Sequence, residues 1–235
     1  TLNGNIAPTR SIGLSSGLVA PVAVALDSVR DLLYVADASQ GEVLVFSPAS
    51  TVGNNAAPSR ALIITGASIG GMALDSANDR LYVSDTASDA IGVFDNVSTL
   101  NSQVTSNRAI VGADTGLQGP AGLTLDLSGN LVVANSGNGN IGNITVYPNA
   151  ATANGDVQPI VAIGGINTTL VAPGQVILNT ASAADEIYVA DSTTNAVTTF
   201  TSVNSTGGNI TPSRTIGGGS TTFNGPRGVA LDTTR

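Results

Sequence analysis

Large apolar residues and mostly small residues alternate along a short segment that recurs five times in the chain. The large side chains stand at every second position, and a Leu always follows two residues after the first of them, which is Val24, Met72, Leu123, Val176 or Val229. Alternation with a period of two predicts a β-strand. The five copies begin at residues 21, 69, 120, 173 and 226, so the spacings are 48, 51, 53 and 53 residues. A period of this length predicts a protein built from one repeated supersecondary unit.

Each repeat predicts four short β-strands, which we name a to d from the innermost to the outermost. The alternating segment is strand a, and strand b follows it with sequences such as LYVAD. Strand c ends in an aromatic residue, and strand d follows a turn that usually contains Pro. The units cover residues 21–62, 69–110, 120–163 and 173–216. Radial repetition of four-stranded antiparallel blades predicts an all-β fold, the β-propeller.

Nearly every aromatic residue falls in one of two repeat columns. The first column lies in strand b and the second at the end of strand c: Tyr34, Tyr82 and Tyr188, then Phe46, Phe94, Tyr147 and Phe200. Stacking platforms for bases or sugars are one interpretation. We favour packing between adjacent blades, because an aromatic residue at a fixed position of an alternating strand fills the interface that the repeat creates.

A fifth repeat is incomplete. Residues 8–12 match a strand d and residues 226–235 match a strand a, but the sequence provides no strands b and c for this blade. We therefore predict one propeller domain over residues 1–235, with four complete blades and two strands of a fifth. It is a fragment, or an open form, of a ring of roughly five to seven blades. The unpaired strand edges and apolar flanks of such a gap need a cover.

Two explanations account for the incomplete blade. The first, which we favour, is that the natural chain is longer, since the sequence stops at Arg235, a residue after which trypsin-like proteases cut. The second is that a protein partner or another copy of the chain supplies strands to the open edges by β-addition. Head-to-tail contacts of that kind need not close, so they would build an assembly.

The charge of the chain excludes some partners and favours an extracellular location. The 16 acidic residues outnumber 8 basic ones, all of them Arg, and the formal net charge is -8. Nucleic acids and anionic membranes attract positive charge, so binding to either is not expected. No apolar run is long enough to cross a bilayer, so membrane insertion is not expected either. A surface dominated by Ser, Thr, Asn and Gly is commonest in extracellular and cell-surface proteins.

The phrases GVALD, LYVAD and VFS or VFD resemble NHL-type repeats and the related YVTN-like repeats of surface proteins, over the whole chain. The resemblance implies a propeller, a fold that hosts many unrelated functions. Similar propellers include calcium-dependent lactonases and lyases, which place His, Glu, Asp or Asn on the inner strands, pointing into the channel. The corresponding positions here are Val22, Gly70, Ala121, Gly174 and Arg227.

None of these five residues is a good metal ligand, and the chain contains no His. We therefore expect a non-enzymatic scaffold at the cell surface or outside the cell, which binds a protein partner or self-associates through its strand edges. The alternative is a calcium-dependent lactonase or hydrolase with a site in the channel. No cofactor other than Ca²⁺ is suggested.

Four Asp residues end the inner strands and are the candidate calcium ligands: Asp27, Asp75, Asp126 and Asp232. A ring of carboxylates at one mouth of the channel would attract Ca²⁺. Asp after a strand also commonly caps its own turn through the backbone, and we favour that interpretation. Asn179 interrupts the ring in the fourth unit.

Arg residues near the start of strand d occur together with Asp residues at the end of strand b. The pairs are Asp37 with Arg60, Asp85 with Arg108, and Asp191 with Arg214. The third unit carries Asn135 and Val161 instead, so both members are missing together. This joint loss predicts a structural ion pair within each blade.

Overall fold

The computed structural model describes residues 7–13, 16–53, 56–137, 141–179, 186–201 and 206–232. Four antiparallel four-stranded sheets form the blades of a β-propeller, which confirms the predicted fold class. Blade 1 contains β1 (Pro21–Asp27), β2 (Leu32–Asp37), β3 (Glu42–Phe46) and β4 (Arg60–Ile63). Blade 2 contains β5 (Ile69–Asp75), β6 (Arg80–Asp85), β7 (Ala90–Asp95) and β9 (Arg108–Ile110).

The other two blades have the same meander topology. Blade 3 contains β10 (Pro120–Leu125), β11 (Leu131–Asn135), β12 (Asn143–Tyr147) and β13 (Val161–Gly164). Blade 4 contains β14 (Pro173–Asn179), β15 (Glu186–Asp191), β16 (Ala196–Phe200) and β17 (Arg214–Ile216). Short 3-10 helices occupy Val97–Thr99, Ile166–Thr168 and Gly219–Thr221. No described helix has the length and apolar character needed to cross a bilayer.

The turns between strands b and c use residues that tolerate a left-handed backbone. Gly41 in blade 1, Asp89 in blade 2 and Asn195 in blade 4 have φ values of 61°, 49° and 53°. Gly has no Cβ to clash in this conformation, and Asp and Asn can stabilise it through local hydrogen bonds. These turns are therefore tight, and strands b and c pair over five or six residues.

The core lies between the blades, as the aromatic columns predict. Clusters of buried side chains join blades 1 and 2, blades 2 and 3, and blades 3 and 4. Six of the seven aromatic residues in the two columns are fully buried: Tyr34, Tyr82, Phe46, Phe94, Tyr147 and Phe200. Tyr188 is only partly buried, because it lies on the face of blade 4 that points away from blade 3.

The inner strands approach one another so closely that some positions have room only for Gly. A Cβ atom on Gly71 of β5 would lie 2.5 Å from the carbonyl oxygen of Ala121 in β10. A Cβ atom on Gly122 would collide with the carbonyl oxygen of Gly174 in β14. The alternation of large and small residues thus packs the four inner strands around one axis.

Adjacent blades are also joined through their backbones at the rim. β8 (Ser102–Gln103), in the loop between strands c and d of blade 2, pairs in parallel with β4 of blade 1. Gly155 of blade 3 pairs in the same way with Ile110, and Gly208 of blade 4 with Ile163. The loops between strands c and d of blades 2 to 4 therefore extend the outer edge of the preceding blade.

The two strands predicted for a fifth blade are wrong as strands, although both segments lie where the repeat requires. Residues 8–12 and 226–232 belong to no sheet. Arg10 donates from Nη1 to the carbonyl oxygen of Ser50 at 2.6 Å, as Arg60 does to Leu100 at 2.8 Å. A strand needs a neighbour to pair with, and this blade has no strands b and c in the described residues.

Candidate functional site: the central channel and the open sector

The beginnings of the inner strands line a central channel of about 570 Å³. Its lining includes all five positions that the sequence assigned to the channel: Val22, Gly70, Ala121, Gly174 and Arg227. Arg227 is the one charged residue among the described residues that line this cavity. The wall of the channel is therefore made mainly of small side chains and backbone.

The other polar side chains of the channel lining are Gln175, which donates to the carbonyl oxygen of Val176 at 3.1 Å, and three hydroxyl groups that directly follow strand b. Thr86 donates to the carbonyl oxygen of Ser68 at 3.0 Å, and Ser136 donates to that of Gly119 at 2.9 Å. Ser192 makes a longer contact of 3.5 Å with the carbonyl oxygen of Ala172. These hydroxyls close the loops that lead into the inner strands.

The carboxylates proposed as calcium ligands cap their own turns. Asp27 accepts hydrogen bonds from the backbone N–H groups of Val29 and Arg30, at 3.0 and 3.1 Å, and pairs with the Arg30 guanidinium at 2.8 Å. Burial raises the pKa of Asp27, but the hydrogen bonds and charge of Arg30, together with the Val29 N–H, outweigh this and leave it below its ordinary value.

The same arrangement recurs in the next two blades. Asp75 accepts from the backbone and side-chain nitrogens of Asn78, at 3.1 and 2.8 Å. Asp126 accepts from the backbone N–H groups of Ser128 and Asn130 at 2.8 Å each. Among the described residues, no three acidic side chains come together as a metal site, and these Asp residues and Asp232 form no such group.

The Asp residues at the end of strand b have a different role from the one predicted. Asp37 is fully buried and accepts from the N–H groups of Val19 and Ala20, at 2.6 and 2.9 Å, and of Ser39 at 3.0 Å. Burial alone would raise the pKa of Asp37, but these hydrogen bonds keep it below its ordinary value. The carboxylate therefore fastens the loop that precedes β1 to the end of β2.

Asp191 and Asp85 fasten the equivalent loops. Asp191 accepts from Val171 and Ala172 at 2.7 and 3.0 Å, and Asp85 accepts from Ser68 at 3.0 Å. In the third blade, Asn135 accepts from Gln118 through its side-chain oxygen at 3.3 Å. An amide oxygen can thus replace the carboxylate as the acceptor that holds this loop.

The predicted pairs Asp37–Arg60, Asp85–Arg108 and Asp191–Arg214 are wrong, and the strand register gives the reason. In an antiparallel meander, strands b and d run in the same direction, so the start of strand d is level with the start of strand b. Arg60 lies opposite Val45, and Val45 opposite Tyr34. Asp37 is three residues beyond Tyr34, about 10 Å along the strand.

The Arg residues instead bind different groups in each blade. Arg108 makes two hydrogen bonds to Asp95, at 2.8 and 2.9 Å, and Arg80 donates to the same carboxylate at 2.6 Å. The hydrogen bonds from Arg108 lower the pKa of Asp95 to about 2, with Arg80 adding to the effect and burial opposing it. Asp95 therefore joins strands b, c and d of blade 2.

In blade 4 the equivalent Arg lies on the rim. Arg214 donates to Glu186 at 2.8 Å and to the hydroxyl of Tyr188 at 2.9 Å. Its guanidinium also lies over the Tyr188 ring, 5.6 Å from the centroid. This cluster borders the space in which a fifth blade would stand.

We call this space the open sector: it lies between blades 4 and 1 and is bordered by residues 7–12 and 226–232. The exposed fractions of equivalent residues in the four blades show how open the sector is. On the face toward the preceding blade, Met72, Leu123 and Val176 are 5%, 2% and 0% exposed, whereas Val24 of blade 1 is 70% exposed. The inner strand of blade 1 is therefore uncovered where those of the other three blades are buried, whereas Val35, Leu44 and Phe46 on the same face of β2 and β3 are buried against Ile12, Leu18 and Val52.

The flank of blade 4 shows the same contrast on its other face. Leu62, Ile110 and Ile163 are 0% exposed in the outer strands of blades 1 to 3, whereas Ile216 of blade 4 is 56% exposed. The sector thus has two apolar walls. On the blade 1 side, residues 7–12 and the wall enclose a groove of about 780 Å³, lined among others by Ile12, Val35 and Val52.

The fold defines the class of the protein as a β-propeller. No protein-family model matches the chain, and no curated protein matches it. Among solved structures, it is similar to hydrazine synthase of Kuenenia stuttgartiensis, with a TM-score of 0.58 and 15% sequence identity. The match covers 90% of this chain and 52% of that one, so the chain spans about half the length of this neighbour. At this identity the similarity extends to the fold alone.

Sequence reasoning missed two features of the site. Asp95 was not considered as the partner of Arg108, although Arg80 and Asp95 occur together only in the second repeat, and that was the available signal. Val24 and Ile216 were also not identified as the residues that the incomplete blade leaves exposed. Their column positions next to an incomplete blade could have identified them.

Proposed function

We propose that this chain is a non-enzymatic interaction scaffold of the NHL/YVTN-like type, located outside the cell or at its surface, that binds polypeptides through the open sector, including further copies of itself. The observation that carries the proposal is the pair of uncovered apolar walls, marked by Val24 and Ile216. Burial of such side chains stabilises a complex by about 25 cal/mol for each Å² of apolar surface.

The chemistry of the channel favours this function over the calcium-dependent lactonase or hydrolase. Ca²⁺ in proteins takes six to eight oxygen ligands, mainly carboxylates and carbonyls. Here the carboxylates of Asp27, Asp75 and Asp126 are directed at backbone N–H groups of their own turns. Coordination of Ca²⁺ by these residues would compete with the hydrogen bonds that hold all three turns.

The composition supports the proposed location and the resemblance supports the class. A net charge of -8 and a low content of charged residues, 10%, suit a polar, neutral-to-acidic surface. The GVALD and LYVAD phrases give the resemblance to NHL/YVTN-like repeats.

Light scattering over a range of protein concentrations tests this function. We expect the mass of the chain to rise above that of the monomer with concentration, and the Val24→Asp variant to stay monomeric. Leu127→Asp is the matched control, because Leu127 is 83% exposed and lies in the turn after β10, away from the sector. A strictly monomeric wild type, or an equal loss of association in both variants, would overturn the proposal.

A further inference from the structure

We propose that the open sector binds a β-hairpin, whose two antiparallel strands take the places of strands b and c in the incomplete blade. This inference rests on the proposed function and names the chemical class of the partner. It follows from the contacts that strands b and c make in the complete blades, since the walls of the sector repeat the surfaces found there.

The wall on blade 1 determines one face of the hairpin. The residues equivalent to Met72, Leu81, Val83 and Phe94 of blade 2 are Val24, Leu33, Val35 and Phe46. Val24 is exposed and Leu33 is partly buried, whereas Val35 and Phe46 are buried against Ile12, Leu18 and Val52 at the floor of the groove. In the complete interface, blade 1 covers the surface of blade 2 with residues of its own strands b and c, namely Tyr34, Ala36, Val43 and Val45. The hairpin therefore presents an aromatic, a small and two β-branched residues to blade 1.

The wall on blade 4 determines the other face. Tyr188, Val197 and Ile216 stand where Val132, Ile144 and Ile163 stand in blade 3. Blade 4 covers that surface of blade 3 with Ile187, Val189 and Phe200 from its strands b and c. The hairpin therefore presents aliphatic residues and one aromatic residue to blade 4. Hairpins that are apolar on both faces are unusual in water, so few polypeptide segments meet both requirements.

The two backbone segments that border the sector favour a polypeptide over other apolar ligands. Residues 226–232 run beside β14, with the carbonyl oxygen of Arg227 close to Gly174, and belong to no sheet. Residues 8–12 are held at the rim by Arg10 and also belong to no sheet. A hairpin placed between these segments would pair with one along each of its edges.

Positive charge at the border adds a further requirement. Arg10 and Arg227 are exposed there, Arg214 is exposed and paired with Glu186, and Asp232 is the acidic residue of the segment 226–232. Acidic residues at the ends of the hairpin strands would be attracted to this border. The hairpin that fits is thus apolar along its strands and acidic at its ends.

A peptide with the sequence of residues 80–95 meets the apolar requirements, because it comprises strands b and c of blade 2 with their turn; it begins with Arg80 and ends in Asp95. The experiment measures the fluorescence anisotropy of the labelled peptide against the full chain, at concentrations where the chain is monomeric. A peptide of the same composition, with its residues reordered so that the alternation is lost, is the control.

We expect saturable binding of the peptide of residues 80–95, and binding of the reordered peptide weaker by at least about tenfold, since its apolar residues cannot face both walls. Val24→Asp and Ile216→Asp should each weaken binding by a similar factor, and Leu127→Asp should leave it unchanged. Circular dichroism shows whether each variant is folded. Because the two variants lie on different walls, the test remains possible if one of them misfolds.

Hydrogen exchange distinguishes strand pairing from simple adhesion to an apolar surface. The amides of residues 8–12 and 226–232 should become protected when the peptide binds. Equal binding of both peptides, or binding without this protection, would overturn the hairpin inference. If the peptide does not bind, but the wild type self-associates and Val24→Asp abolishes that association, only the hairpin inference is overturned. If the peptide does not bind and the wild type does not self-associate either, the proposed function is overturned as well.

Discussion

Asp37 illustrates how a residue that suggests an ion pair in the sequence serves the backbone in the structure. Its carboxylate accepts hydrogen bonds from three backbone N–H groups and from the Ser39 hydroxyl. The same column contains Asn135, which keeps the oxygen and loses the charge. The acceptor, and not the charge, is therefore the property that this position needs.

Substitutions of Asp37 test this role. Asp37→Ala should lower the free energy of unfolding by about 3 kcal/mol, because several partly buried N–H groups would lose their acceptor. Asp37→Asn should cost only about 1 kcal/mol, since one amide oxygen remains. Urea denaturation measures both values. Equal losses for the two variants would contradict the account.

A double-mutant cycle tests the corrected partnership of Arg60. Arg60 donates to the carbonyl oxygen of Leu100 in the next blade and makes no contact with Asp37. The effects of Asp37→Ala and Arg60→Ala on stability should therefore add to within about 0.5 kcal/mol. A coupling energy above 1 kcal/mol, on the order of that for residues in direct contact, would restore the ion pair.

Asp95 gives the molecule a defined sensitivity to acid. Its pKa of about 2 lies below the ordinary value of 3.8 because Arg108 and Arg80 bind the carboxylate. The ion pair contributes its full stabilisation above about pH 4 and loses it as the pH falls toward 2. From the size of the shift, the contribution is about 2 kcal/mol.

The variant Asp95→Asn should lose this contribution at pH 7 and show a correspondingly smaller decrease in stability between pH 4 and pH 2, measured by urea denaturation at each pH. Asp114→Asn is the control, because Asp114 is exposed and lies outside the Arg108 network. If Asp95→Asn and the wild type lost the same stability over that interval, the role of Asp95 would be disproved.

At the scale of the elements, the inner strands depend on glycine where two backbones meet. Gly71, Gly122 and Gly228 occupy the same repeat column. The first two face the backbone of the next inner strand, whereas no atom lies within 4 Å of a Cβ placed on Gly228. Gly228 therefore serves as a control for Gly71 and Gly122, because it faces the gap between residues 226–232 and β1.

Replacing these residues with Ala tests the packing of the strands. Gly71→Ala and Gly122→Ala should each lower stability by about 1–3 kcal/mol, because the added methyl group forces the strands apart. Gly228→Ala should change stability by no more than about 0.5 kcal/mol. Thermal unfolding of the three variants gives the comparison. If Gly228→Ala cost as much as the other two, β1 would have to approach residues 226–232 closely.

The elements could be predicted because their signal is local. Alternation, turn residues and a period near 50 residues located the strands of all four blades. The contacts of Arg60, Arg108 and Arg214 could not be inferred from spacing alone, since they depend on which residues are level across three strands. Asp27, Asp75 and Asp126 were correctly favoured as turn caps, because that interaction is also local.

At the scale of the whole molecule, the incomplete blade gives the propeller two uncovered walls. The repeat pattern indicated that this blade lacks strands b and c, but whether residues 8–12 and 226–232 form strands depended on neighbours that the described residues do not include. Those segments keep their positions and form no sheet. The open sector therefore lies where the described residues provide no strands b and c.

The accessibility of one repeat column tests the open sector most directly. The chain has no Cys, so single substitutions Val24→Cys, Met72→Cys, Leu123→Cys and Val176→Cys each provide one thiol for a labelling reagent. In dilute, monomeric protein, the thiol at position 24 should react almost as fast as in the unfolded chain. The other three should react at least about 100-fold more slowly, because they require local unfolding. Protection of position 24 equal to that of the other three would contradict the account.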